Sequence, residues 1–173
     1  MRKNEGGIKI ERSYPEPYEW ERILFSSNNS AFQVDTLLDC GIRNFEEIGE
    51  ALILFPKKSP DEYSFTLESE WGGGDFSLHA YADKLGHTTL EVTIQSRAVG
   101  QCRISFTTTP SEIHRLGELL LGFSKPKYRG LKWSLEGDND ALMEWDHTES
   151  PSKYKEKKNG WTFGPNPDWW NPG

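Results

Sequence analysis

Four histidines are the side chains of this sequence best suited to metal or acid–base chemistry. None of the intervals between them forms an HxH, HxxxH or HExxH pattern. One of them follows an aspartate in the stretch "YADKLGHTTL", where it could either take part in chemistry or complete a turn. The sequence therefore predicts no metal site and no other cofactor. The four are His79, His87, His114 and His147.

The sequence offers equally few candidates for a catalytic nucleophile or a phosphate-binding loop. Cys40 and Cys102 have neither metal-ligand spacing nor a histidine partner that the sequence identifies, and no GxSxG motif occurs. The glycine-rich "WGGGD" lacks the Lys-Ser/Thr of a phosphate loop. Acidic residues are too abundant to single out an acid–base pair. We expect no catalytic residues and no enzymatic activity.

One segment, 136–149, carries six acids and neither Lys nor Arg. Met143 and Trp145 alternate with acids there, so a strand would place both on one face, as an apolar anchor with a charged rim. A solvated acidic hairpin would show the same composition, and this alternative stays open. The predicted partner-binding residues are Glu136, Asp138, Asp140, Met143, Glu144, Trp145 and Asp146.

A second set of polar side chains alternates with apolar ones along three neighbouring segments. If those segments pair, the polar set shares one face of a sheet, which a partner could bind or which could simply be solvated. The predicted members of this possible second binding face are His79, Tyr81, Glu91 and Arg103.

The elements that must position these residues begin with a hairpin. Even-numbered positions are apolar in both 75–83 and 88–94. A three-residue loop, 84–86, with glycine in the left-handed position, keeps those residues on one face. It pairs Asp83 with His87, Tyr81 with Thr89 and His79 with Glu91. The same parity allows a third strand, 102–109, with Val92 opposite Ile104 and Thr93 opposite Arg103.

Two helices are predicted from apolar spacing and capping signals. The first has Asn44 as its N-cap and Glu47 to close a capping box, and Pro56 stops it. The second has Thr109 as its cap, with Pro110 and Glu112 in the favoured positions. We expect their apolar stripes to face the core; the stripes comprise Phe45, Ile48, Leu52 and Phe55, and Ile113, Leu116, Leu120 and Phe123.

The two helices also share a template, "FEEIGEALILF" and "IHRLGELLLGF". Each follows a strand candidate and precedes two more, which favours a β-α-β-β duplication over roughly 32–83 and 102–147, although amphipathic helices also resemble one another by coincidence. Gly49 and Gly117 inside the helices are best explained by close packing against a sheet.

The predicted fold is α+β, with a mostly antiparallel sheet and two helices packed on one face. Other strands are expected at 8–13, 22–27, 31–38, 63–70, 131–137 and 141–147. Residues 1–150 would form one domain. Residues 151–173 form a tail rich in Lys, Pro and Trp, which either packs on the domain or serves as a recognition arm.

The charge and hydropathy of the sequence limit the classes of partner and the cellular location that we expect. The net charge is −7, of which the tail contributes +2 through four Lys, Glu156 and Asp168. An acidic body argues against nucleic acid and suits a basic protein. No apolar segment is long enough for a signal core or a membrane span, so we expect a cytoplasmic protein. The sequence does not indicate its oligomeric state.

From about residue 31 to 123 the chain resembles a family of small, uncharacterised bacterial proteins. The resemblance lies in "WGGGDFSLHA", "DKLGHTTLEVTI" and "TPSEIHRL", and most distinctively in L-G-H-x-x-L-x-V. In size and acidity the chain is also similar to immunity proteins that are paired with bacterial toxins. This resemblance implies an inhibitor that occludes the active site of a basic toxin domain. The alternative is a module that binds sugar or peptide through the C-terminal tryptophans.

Overall fold

A computed structural model describes residues 6–13, 21–29, 33–68, 75–96 and 100–145. The predictions for Asp146, His147, Glu149 and the tail lie outside these residues. In chain order the elements are β1 (Gly7–Arg12), β2 (Glu21–Asn28), β3 (Gln33–Cys40), α1 (Arg43–Ile53), β4 (Asp61–Leu67), β5 (Asp75–Ala82), β6 (Thr88–Ser96), β7 (Gly100–Thr108), α2 (Pro110–Phe123), β8 (Tyr128–Ser134) and β9 (Ala141–Glu144).

The α+β class is confirmed, and every pair of neighbouring strands is antiparallel. The strands form two sheets, whereas the sequence predicted one. The first sheet has the order β3-β2-β1-β8-β9, and the second has the order β4-β5-β6-β7. The difference arises because each helix carries the chain from one sheet to the other.

The register predicted for the second sheet is confirmed. Tyr81 lies opposite Thr89 and His79 opposite Glu91, while Val92 lies opposite Ile104. The alternation that defines this register also places Phe76, Leu78 and their apolar neighbours on the buried face. Polar side chains consequently occupy the opposite face, which we call the outer face of the second sheet.

Both sheets and both helices contribute to one hydrophobic core. Phe25 of the first sheet packs on Phe76 of the second, with ring centroids 4.8 Å apart, and Phe106 meets Trp133 edge-on at 5.7 Å. All eight stripe residues predicted for the helices are buried. An apolar void of about 10 Å³ remains where the two sheets and the two helices meet, too small to hold more than one water.

The helix starts differ from one another. In α2 the predicted capping box is present, since the Thr109 hydroxyl accepts from the Glu112 amide and the Glu112 carboxylate accepts from the Thr109 amide. The predicted Asn44 cap of α1 is wrong. That helix begins after Ile42 without a side-chain cap, because the Asn44 amide donates to the carbonyl of Gly41 in a backbone turn.

The predicted element order, strand-helix-strand-strand, occurs in both segments, but the sheets reveal a larger repeat. β1-β2-β3-α1-β4 and β5-β6-β7-α2-β8 have the same order, each with a three-stranded meander, a helix and a final strand. The final strand of each unit leaves its own meander. β4 pairs with β5 of the second unit, and β8 pairs with β1 of the first. Each unit thus completes the sheet of the other, and among the described residues β9 has no counterpart.

The helix glycines lie where the two units meet. A Cβ on Gly49 would lie 2.9 Å from the carbonyl oxygen of Gly117, and a Cβ on Gly117 would lie 2.9 Å from that of Gly49. The prediction that these glycines pack against a sheet is wrong. They allow the two helix backbones to touch, which a Cβ at either position would prevent without a shift of the backbone.

Candidate functional site

The turn that holds His87 is fully connected by hydrogen bonds. One oxygen of the Asp83 carboxylate accepts from the amides of Leu85 and His87, at 2.8 and 2.9 Å, and the other lies 2.9 Å from Nδ1 of His87. Gly86 has a φ of 85°, as the predicted loop requires. These bonds hold the pKa of Asp83 below its usual value, with the His87 side chain as the largest cause. His87 therefore completes a turn.

The outer face of the second sheet brings together the four residues predicted for a second binding face. His79 lies at its centre, with Nε2 2.8 Å from a Glu62 carboxylate oxygen and Nδ1 3.7 Å from one of Glu91. Tyr81 is 42% exposed, and Arg103 is exposed on β7. Hydroxyl side chains of Ser and Thr fill much of the remaining face. The result is a flat polar surface with one exposed aromatic ring.

The acidic segment lies at the end of the first sheet. Residues 135–140 connect β8 to β9, and we call them the acidic loop. Glu136 and Asp138 are exposed on this loop, and Glu144 is exposed on β9. Lys127 lies 3.8 Å from Glu144, across the β8–β9 pair. Among the described residues of this segment, the exposed acids are therefore Glu136, Asp138 and Glu144.

Asp140 has a structural part in the acidic loop. Its carboxylate accepts from the Ser134 amide at 2.7 Å and forms an ion pair with Arg115 of α2. Arg115 also donates to the carbonyl of Leu135 at 3.0 Å. Sequence reasoning missed Arg115 because it lies on another element, and the local absence of basic residues in 136–149 gave no hint of it. The ion pair leaves Asp140 unavailable as a rim charge.

Trp145 is buried, with 9% of its surface exposed, and its indole nitrogen donates to the carbonyl of Pro126 at 3.1 Å. Met143 is half-buried and extends over Gly130 of β8. Trp145 therefore fastens the end of β9 to the segment before β8, and Met143 packs within the hairpin. Trp145 is therefore not available on the surface as part of the predicted apolar anchor.

The described ranges contain no group of three or more His, Cys, Asp or Glu side chains arranged to hold a metal ion. Neither helix in this part of the chain has the length and apolar character needed to cross a membrane. What these residues do provide is two surfaces, namely the acidic loop and the outer face of the second sheet, on which charged and polar groups are held in place.

No protein-family model, curated protein or solved structure was found to match this chain. The similarity to immunity proteins therefore rests on the sequence features alone and stays a prediction.

Proposed function

We propose that this chain is an immunity-type inhibitor, which binds a basic toxin domain and occludes its active site. The observation that supports the proposal is the acidic loop, whose conformation is fixed by hydrogen bonds. Glu136 and Asp138 project from a loop whose backbone is tied down by side chains of α2 and β8. The inhibitor would act by steric and electrostatic means and would carry out no chemistry of its own.

The rigidity of the loop comes from both of its ends. Asp140, the last residue of the loop, accepts from the Ser134 amide just before the loop, and Arg115 donates to the carbonyl of Leu135, the first residue. Gly137 takes a φ of 78°, which turns the chain between the two exposed acids. A surface that is ordered before binding loses less conformational entropy on binding, so its contacts contribute more to affinity.

The charge on the loop supports a basic partner. Exposed carboxylates attract a cationic surface over about 8–10 Å at physiological salt, and this attraction mainly speeds the encounter. Glu136 and Asp138 are exposed on the acidic loop, so they are the acids on which we expect association to depend.

The outer face of the second sheet is proposed as a second contact surface. Tyr81 is exposed there beside His79, which two carboxylates hold in place. Aromatic residues with a polar group are favoured in protein interfaces because they bury a large area at a small entropic cost. Replacing Tyr81 with Ala should weaken partner binding while leaving the fold unchanged.

The test is a pull-down from the native host with three forms of the protein. The wild type should recover a basic protein. The Glu136→Lys/Asp138→Lys variant should recover much less of it, with association about tenfold slower at low salt. The matched control is Glu46→Lys/Glu50→Lys, which makes the same charge change at exposed positions on α1 and should bind as the wild type does. Equal recovery of the basic protein by all three forms would show that the acidic loop is not part of the interface.

A further inference from the structure

The exchange between the two units leaves one sheet shorter than the other. β8 and β4 are counterparts, and each pairs on one side with the first strand of the opposite unit. On its other side β8 carries β9, whereas among the described residues β4 has no second neighbour. The second sheet therefore ends where the first sheet continues by one strand.

The side chains of β4 show the effect of the missing strand. The inward-facing residues of β8, Leu131 and Trp133, are buried. The corresponding inward-facing residues of β4 are Tyr63 and Phe65, and both are only half-buried. Leu142 of β9 lies opposite Leu131 and packs against the core beside it. Among the described residues, no strand lies beside the open edge of β4 in that way.

The backbone of β4 also has hydrogen-bonding groups that face away from β5. The Glu62 amide donates to the Asp61 carboxylate at 3.1 Å, so it points away from the ladder with β5. In an antiparallel strand, backbone groups of alternate residues point to the same side. Those of Ser64 and Thr66 therefore face the open edge together with those of Glu62, as on any edge strand that is ready to pair.

We propose that β4 pairs antiparallel with β4 of a second copy of this chain, about a two-fold axis at Ser64. This register places Ser64 opposite Ser64 and Glu62 opposite Thr66, so that no like charges face each other. It forms about six backbone hydrogen bonds between the copies and joins the two second sheets into one. Tyr63 of each copy lies opposite Phe65 of the other, on the side that is left half-buried in the single chain.

The flanking charges favour the same partner. Lys57 and Lys58 precede β4 and are exposed, and Glu68 follows it and is exposed. Antiparallel pairing brings the lysines of each copy towards Glu68 of the other. Registers centred on Glu62 or Phe65 would instead oppose Glu62 to Glu62 or to Glu68. Self-complementarity of this kind selects a second copy over an unrelated strand.

The first test is the molecular mass in solution, measured by light scattering over concentration. A pair of edge strands is smaller than a standard interface of about 800 Å² per partner, so the dimer should appear between roughly 10 and 500 µM. Ser64→Lys should make the protein monomeric across this range. The matched control, Ser105→Lys, makes the same change on the other edge strand of the same sheet and should leave the dimer intact. Unchanged melting temperatures would show that both variants fold.

The second test locates the contact. Opposed residues in a hydrogen-bonded antiparallel pair have Cα atoms about 5.5 Å apart, within reach of a disulfide. In a Cys102→Ser background, Ser64→Cys should form a covalent dimer on mild oxidation, and Ser105→Cys should not. A wild type that stays monomeric at the highest concentration overturns the proposal, as does a dimer that Ser64→Cys fails to cross-link. Either result leaves the proposed inhibitor function to its own test.

Discussion

At the scale of single residues, several charged groups that the sequence offered as functional candidates instead form hydrogen bonds or ion pairs within the fold. His87 and Asp83 complete a hairpin turn, and Asp140 holds the acidic loop through Arg115. The pairing of His87 with Asp83 followed from the sequence, because local parity fixes which residues face each other across a short loop. The pairing of Asp140 with Arg115 could not be predicted, because it joins residues that are distant in the chain.

The Asp83 turn leads to a prediction about pH. Because the folded state holds the pKa of Asp83 below its unfolded value, the carboxylate stabilises the fold above the unfolded pKa. This stabilisation is lost as the pH falls through the folded pKa. Asp83→Asn should therefore lower the urea midpoint at neutral pH and match the wild type in strong acid. A difference in midpoint that persists unchanged into acid would contradict this account of the turn.

A companion prediction concerns His87 itself. Replacing it with Ala removes the bond from Nδ1 to Asp83 but leaves the backbone bonds of the turn in place. The melting temperature should fall only slightly, and partner binding should be unchanged. A folded His87→Ala protein that no longer binds its partner would show that this side chain has a function beyond the turn.

At the scale of elements, the sequence was most informative where local signals and tertiary packing agree. The β5-β6-β7 meander and the α2 capping box were predicted residue by residue, because alternation and capping depend on neighbours in the chain. The cap of α1 was predicted wrongly because the helix begins earlier, at Arg43, where the carbonyls of Gly41 and Ile42 accept from the amides of Asn44 and Phe45. The sequence alone does not decide between a side-chain cap at Asn44 and this earlier start of the helix.

The contrast between the two caps can be measured directly. Thr109→Ala should cost about 0.5–2 kcal/mol of unfolding free energy, the usual range for a lost N-cap. Asn44→Ala should change it much less, since Asn44 caps nothing in α1. Urea denaturation of both variants checks the prediction. Equal losses would mean that Asn44 does support its helix.

The helix crossing gives a prediction of its own. Gly117→Ala should destabilise the protein by about 1–3 kcal/mol, although Ala normally favours a helix. The added Cβ would lie 2.8 Å from the Ile53 amide nitrogen and 2.9 Å from the Gly49 carbonyl oxygen, both of them backbone atoms. Glu118→Ala, at an exposed neighbouring position, serves as the control and should have little effect. A Gly117→Ala protein that is more stable than the wild type would contradict the close crossing.

At the scale of the whole molecule, the main feature that escaped prediction is the exchange of strands between two similar units. The shared helix template pointed to a duplication, but periodicity reports which face of a strand is buried and not which sheet the strand joins. The same holds for the acidic segment. Its charge density was visible in the sequence, whereas the burial of Trp145 depends on how the hairpin packs against the residues around Pro126.

The proposed function is tested most directly by whether the chain protects cells from the basic protein that it captures. Cells would express that protein alone or together with the wild type, the Glu136→Lys/Asp138→Lys variant or the Glu46→Lys/Glu50→Lys control, each at a matched level. The account predicts that the captured protein stops growth, that the wild type and the control restore it, and that the acidic-loop variant restores it poorly. Full rescue by the acidic-loop variant, or no rescue by the wild type, would contradict the account.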